Sequence, residues 1–235
     1  MGASWGDPLC SAQDEEEGET LPEFAYGKKP HKVPRFGIDL GGVLCKHNND
    51  VAEDTSKWFE DPESEAPEAM ASVAEIVKLF GPENVFIVSK LKLGSKMETQ
   101  SRTWLFQTMD ICTRTGLLEK NIYFVNDYTG LEGKGVMAAK LGLSHFVDDK
   151  DINLKTIYED TVGNSQSSIA RHRGLLFHFR RSGLLEGKPP RPSSWAKEDR
   201  PANVVAVTHW PELMTKLRAS MKQVKVRATS AGSSG

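Results

Sequence analysis

Three acids and one lysine carry most of the chemistry that this sequence offers. Asp39 follows the short apolar run Phe36-Gly37-Ile38, and Leu40, Gly41 and Gly42 come directly after it. Asp148 and Asp149 follow a second run, His145-Phe146-Val147, and Lys134 stands between Gly133 and Gly135 shortly before it. Ser89 closes a third run, Asn84-Val85-Phe86-Ile87-Val88, and Lys90 comes next. Carboxylate oxygens are hard donors of the kind that bind hard metal cations. Two adjacent acids repel each other unless a cation stands between them. A glycine pair lets the backbone turn sharply and leaves room for a ligand beside the main chain. Each residue also has a plainer reading. Asp39 can cap a turn, Ser89 can form one, Lys134 can be a solvated loop lysine, and Asp148-Asp149 can cap the next helix.

Positioning decides between these readings, and the pattern of the chain supplies it. Expected strands are 35–40, 84–89, 121–125, 144–147, 174–179 and 203–207. Expected helices are 67–80, a long one over 97–118, 135–141 closed by Gly142, 152–158, and 208–219 with Thr208 as its cap. Strand and helix alternate throughout. This predicts an α/β fold, a three-layer αβα sandwich around a mostly parallel, Rossmann-like sheet. In such a sheet the C-terminal ends of neighbouring strands share one crevice, and ligands bind there. Asp39, Ser89 and Asp148-Asp149 all fall at such ends.

Composition bounds the rest. The chain has 235 residues, 38% hydrophobic and 26% charged, with a net charge of −2. That is enough for one medium domain, and no global field favours nucleic acid or a membrane surface. Cys10, Cys45 and Cys112 are widely spaced, which fits a reduced compartment; with no apolar leader or membrane span in view, the expected location is the cytoplasm. Residues 1–32 read as a disordered acidic leader, 33–221 as the α/β domain, and 222–235 as a flexible tail. Within the domain, 45–66 reads as a lid-like loop containing Trp58 and Phe59, and 180–202 as a surface excursion.

An acid after strand one, a hydroxyl after strand two, a lysine before strand four and paired acids after strand four resemble the haloacid dehalogenase (HAD) superfamily. The resemblance covers residues 35–220 and is one of order and spacing. It implies a HAD-like hydrolase, a phosphatase that depends on Mg2+ and forms an aspartyl-phosphate on Asp39. Asp39, the Gly41 carbonyl and an acid of Asp148-Asp149 would hold the metal, with Asp149 the preferred direct ligand. Ser89 would bind a phosphoryl oxygen, and Lys90 and Gly42 would complete the substrate contacts. Lys134 would place a positive charge on nucleophile and phosphate, in preference to Lys140, which falls inside a helix.

One residue departs from the family pattern. Most phosphatases of the family carry a second aspartate two residues after the first, as general acid and base, and here that position is Gly41. Loss of such a group costs on the order of 10²–10⁴ in rate. His47 or Asp50 could supply the proton instead. The rival reading is a catalytically impaired HAD-fold binding or regulatory protein. A further rival is carbon–halogen or carbon–phosphorus cleavage on the same fold; a response-regulator-like sheet fits less well, because its paired acids belong after strand one. With only a loop and one helix between the first two strands, the site is expected to be open. The substrate is then a phosphorylated molecule of unknown class and of large size. Arg171, His172, Arg173, His178, Arg180 and Arg181, around strand five, form a basic set that could hold an anionic substrate; a solvated loop edge is their plainer meaning.

Overall fold

The computed structural model describes residues 33–46, 64–126, 133–162, 169, 172–180 and 200–231. Six strands form one sheet: β1 (Phe36–Ile38), β2 (Val85–Lys90), β3 (Ile122–Val125), β4 (His145–Asp148), β5 (Leu176–Phe179) and β6 (Val204–Val207). Their order is β3-β2-β1-β4-β5-β6, and every pairing is parallel. The order reverses at β1, which pairs with β2 on one side and β4 on the other. The crevice beyond the ends of β1 and β4 is therefore the topological switch point of the sheet.

Side chains alternate between the faces, as period-two geometry requires. Ile38, Ile87, Val147 and Phe177 enter a core shared with α1 (Ala69–Phe80), α3 (Ile111–Thr115) and α6 (Trp210–Ala231). Phe86, Val88, Phe146 and Leu176 enter a second core with α4 (Lys134–Leu141) and α5 (Asp151–Val162). The result is the Rossmann-like three-layer sandwich that the alternating pattern predicts. Both faces are covered, so the strands read as near-continuous apolar runs.

Several element boundaries differ from expectation. The expected helix over 97–118 is three pieces: α2 (Lys96–Thr103), a turn of π-helix over Trp104–Thr108, and α3. Asp110, with φ 45, separates the last two in the left-handed region. Ser95 caps α2, its hydroxyl accepting from the Glu98 amide. The last helix starts at Trp210, not at Thr208, because His209 Nδ1 accepts the Glu212 amide at 3.1 Å while Glu212 turns back to the Thr208 amide at 2.7 Å. It runs to Ala231 rather than ending near Ala219, so 222–231 is helix and not tail. No helix of the described residues is long and apolar enough to cross a membrane.

The leader 1–32, Trp58, Phe59, His47, Asp50, Arg171, Arg181 and most of 180–202 lie outside the described residues. The two ends of the loop over 45–66 meet beside β1: the Lys46 amide donates to the Ser64 carbonyl at 2.6 Å and the Ala66 amide to the Leu44 carbonyl at 2.8 Å.

Candidate active site

β1 ends at Ile38, and the next residue, Asp39, still donates its amide to the Val147 carbonyl at 3.0 Å. The chain then turns at once. The Leu44 and Cys45 amides both donate to the Leu40 carbonyl, at 2.9 and 3.0 Å, and the Gly42 amide donates to the Cys45 carbonyl at 2.8 Å. Gly42 has φ 77, and a Cβ there would stand 2.5 Å from Asp149 Oδ2. Only glycine lets the turn close with Asp149 packed against its main chain. Trp210, fully buried at the start of α6, donates Nε1–H to the Val43 carbonyl at 3.2 Å and clamps the turn from the other side.

Lys134 ties the turn to β4. It is the first residue of α4, not the last of a loop, and it is buried. Its Nζ lies 2.7 Å from Asp39 Oδ1 and 2.6 Å from Asp148 Oδ2. A cation at a helix N-terminus opposes the helix dipole. Burial alone would lower the lysine's pKa, but the Asp148 and Asp39 carboxylates more than reverse this and hold the ammonium charged. Lys140 belongs to the last turn of the same helix, and Lys134 is the lysine that reaches the acids.

The three carboxylates differ in their surroundings. Asp148 is fully buried and is the last residue of β4, inside the strand rather than after it. Its Oδ1 accepts from the Lys150 amide at 2.8 Å and from Asn153 Nδ2 at 3.0 Å, while Oδ2 takes Lys134. Burial raises its pKa against the pull of Lys134. Asp39, with the Leu40 amide at 2.7 Å from Oδ1, is raised to about 7, first by burial and then by Asp148 and Asp149, with Lys134 opposing. Asp149 sits over Gly42 and is less buried than the other two. One ligand oxygen from each of the three lies within 4.8 Å of the others. Three carboxylates against one ammonium leave a surplus of negative charge in a buried place, where a divalent cation fits both the charge and the all-oxygen donor set.

Of the other expected site residues, Ser89 is buried within β2, one position before its end, and Lys90 is the exposed last residue of that strand. Both stand at the crevice end of the sheet. Burial, Lys150 and Lys134 lower the pKa of Lys90, so its charge faces two other lysines. Gly41 opens the turn and carries no side chain that could move a proton. The basic set around β5 divides. His172 acts on His145, the first residue of β4, at the opposite end of the sheet, and Arg173 is its neighbour there. His178 and Arg180 stand at the crevice end. Asn153, which orients Asp148 from the first turn of α5, had no signal in the sequence beyond its place in a helix.

No family model matches the chain, and no curated protein matches it. Among solved structures, it is similar to the HAD domain of the effector protein Lem4 from Legionella pneumophila. The two are 11% identical with a TM-score of 0.34, over 57% of this chain and 82% of that one. At that identity and score the likeness decides nothing about chemistry. Fold and site together define an α/β protein with an acidic, lysine-bridged cluster at its switch point.

Proposed function

We propose that the protein is a HAD-like, Mg2+-dependent hydrolase that removes phosphate from phosphate esters through an aspartyl-phosphate on Asp39. The observation that carries this reading is the buried Lys134 bridge between Asp39 and Asp148, beside Asp149. A structural ion pair needs one acid. Here one lysine serves two, and a third acid lies against a glycine whose missing Cβ makes its place.

Asp39, the Gly41 carbonyl and Asp149 are the residues that would hold the metal, with Asp148 positioning them through Lys134. When bound, Mg2+ supplies charge neutralisation for the incoming phosphate. Asp39 attacks phosphorus through a carboxylate oxygen, the ester P–O bond breaks, and the leaving alkoxide takes a proton from solvent or from a residue near the turn. Water then attacks the phosphorus of the acyl phosphate, which restores the Asp39 carboxylate and releases inorganic phosphate. Lys134 keeps Asp39 oriented and its charge available, while Ser89 and Lys90 face the phosphoryl oxygens from β2.

Phosphate release from a panel of esters, with Mg2+ and with EDTA, tests the reading. Turnover that requires Mg2+ and vanishes in Asp39→Asn supports it. Gly41 favours a second reading, a binding or regulatory domain that keeps the pocket without a proton donor. Mg2+ binding with no turnover on any ester would select that one.

A further inference from the structure

The phosphoryl-transfer reading accounts for the pit of the crevice but not for its β4–β5 edge. That edge is basic and ordered. Arg180 follows β5, and its amide donates to the Val207 carbonyl at 2.6 Å, which fixes the backbone there. Its Nε donates to His178 Nδ1 at 3.2 Å. A guanidinium can only donate, so Nδ1 accepts and the proton of a neutral His178 is on Nε2, which lies 3.3 Å from the Asp149 carbonyl. Burial, first, and then Arg180 lower the pKa of His178, in keeping with that neutral form. Arg180 thus stands one imidazole away from the backbone of a proposed metal ligand. Lys150, whose amide is joined to that same carbonyl group, is exposed, leaves β4 beside the end of β5, and acts on Lys90 across the crevice end.

Arg200 adds to the edge. Its Nε and Nη2 are closed off from solvent and meet no hydrogen-bond acceptor among the described residues. Burial and the neighbouring Arg180 lower its pKa, and Asp151 opposes them. Among the described residues Asp151 is the carboxylate that acts on Arg200, beside the Arg180 guanidinium, and Lys150, which leaves β4 where Arg180 leaves β5, adds a third positive charge. Like charges gathered beside one another cost free energy, and an anion placed among them recovers it.

We propose that the exposed Arg180 and Lys150, with the charge of Arg200 behind them, bind a second phosphate group of the substrate, so that the protein acts on esters carrying two phosphates, one at the acidic cluster and one at the β4–β5 edge. This rests on the phosphatase reading for the first phosphate only. Arginine suits the second because its planar fork pairs two donors with two phosphate oxygens.

The test is binding of non-hydrolysable probes to the full chain with Mg2+ present. α,ω-Alkane bisphosphonates of increasing spacer length are compared by calorimetry with the matching monophosphonates. The expected result is that the best-fitting bisphosphonate binds at least about tenfold tighter than its monophosphonate, as one added charge-assisted contact implies. That advantage is lost in Arg180→Gln and in Arg180→Gln/Arg200→Gln, while monophosphonate affinity is kept. Arg180 is exposed, so its single variant tests the idea even where Arg200→Gln harms folding. Equal affinity for the two probes, no binding of either, or an advantage that survives Arg180→Gln overturns the proposal. Phosphate release from p-nitrophenyl phosphate, measured alongside, reads the first site separately. A bisphosphonate preference with no turnover of p-nitrophenyl phosphate or of any bisphosphate ester removes the phosphatase reading alone; turnover without the preference removes the second subsite alone.

Discussion

Lys134 is the residue on which the site turns, and its replacement has a definite expected cost. In Lys134→Met the Asp39 and Asp148 carboxylates stay buried with their shared counter-charge gone. Removing one partner of a buried pair costs about 3–5 kcal/mol, because the remaining charge is uncompensated. Urea unfolding at pH 8 in EDTA should show that loss, and a smaller one at pH 5, where the acids can protonate. Asp39 itself gives a second expectation. Burial pushes its pKa in the folded chain up to about 7, from an ordinary value of 3.8. Between those values the folded state holds more protons than the unfolded one, so stability without metal falls as pH rises through that window. Asp148 shifts in the same direction. The urea midpoint in EDTA should therefore drop between pH 5 and pH 8, and drop less in Asp39→Asn. The acids were legible because each interrupts or ends an apolar run. Lys134 was legible as a charge near β4 but not as a helix residue, since flanking glycines imply a loop. Arg200 was not legible at all: it lies in a stretch rich in proline and charge, and only the folded chain brings it beside Arg180.

At the scale of elements, strand pairing leaves a tighter constraint than any motif. Gly174 precedes β5, and a Cβ there would stand 1.6 Å from the Ser144 carbonyl oxygen at the start of β4. Backbone cannot move aside as a side chain can, so Gly174→Ala must push the two strands apart. The expected loss is about 3 kcal/mol, at the upper end for overpacking, measured by chemical denaturation. Nothing in the sequence marks this glycine from the others, because the contact joins residues 30 positions apart. The six strands themselves were legible within one or two residues, since a sheet covered on both faces writes uninterrupted apolar runs. The break between α2 and α3 was not. Trp104, Leu105, Met109 and Ile111 keep an apolar stripe across it, and the left-handed residue is Asp110, neither glycine nor asparagine. Packing of that stripe into the core outweighs the strain at one residue.

For the whole molecule, the acidic pit predicts that the fold is linked to divalent metal. A ligand that binds only the folded chain stabilises it by RT ln(1 + [L]/Kd), about 2.7 kcal/mol at a hundred times Kd. Mg2+ should raise the melting temperature in proportion to the logarithm of its concentration at pH 8, less so at pH 5, and hardly at all in Asp39→Asn, as thermal scans would show. An unchanged melting temperature in the wild-type protein would mean that the three carboxylates are held by Lys134 and hydrogen bonds alone.

The clamp of Trp210 on Val43 joins positions 167 residues apart in the chain. It also sets an order of events during synthesis. β1 and its acid leave the ribosome early, but β4, Lys134 and finally Trp210 must follow before the turn around Asp39 has all its supports. Until then the nascent chain carries its central strand unpaired and Asp39 unrestrained. The acidic cluster, begun at the first strand, gains its last support from the final helix of the domain.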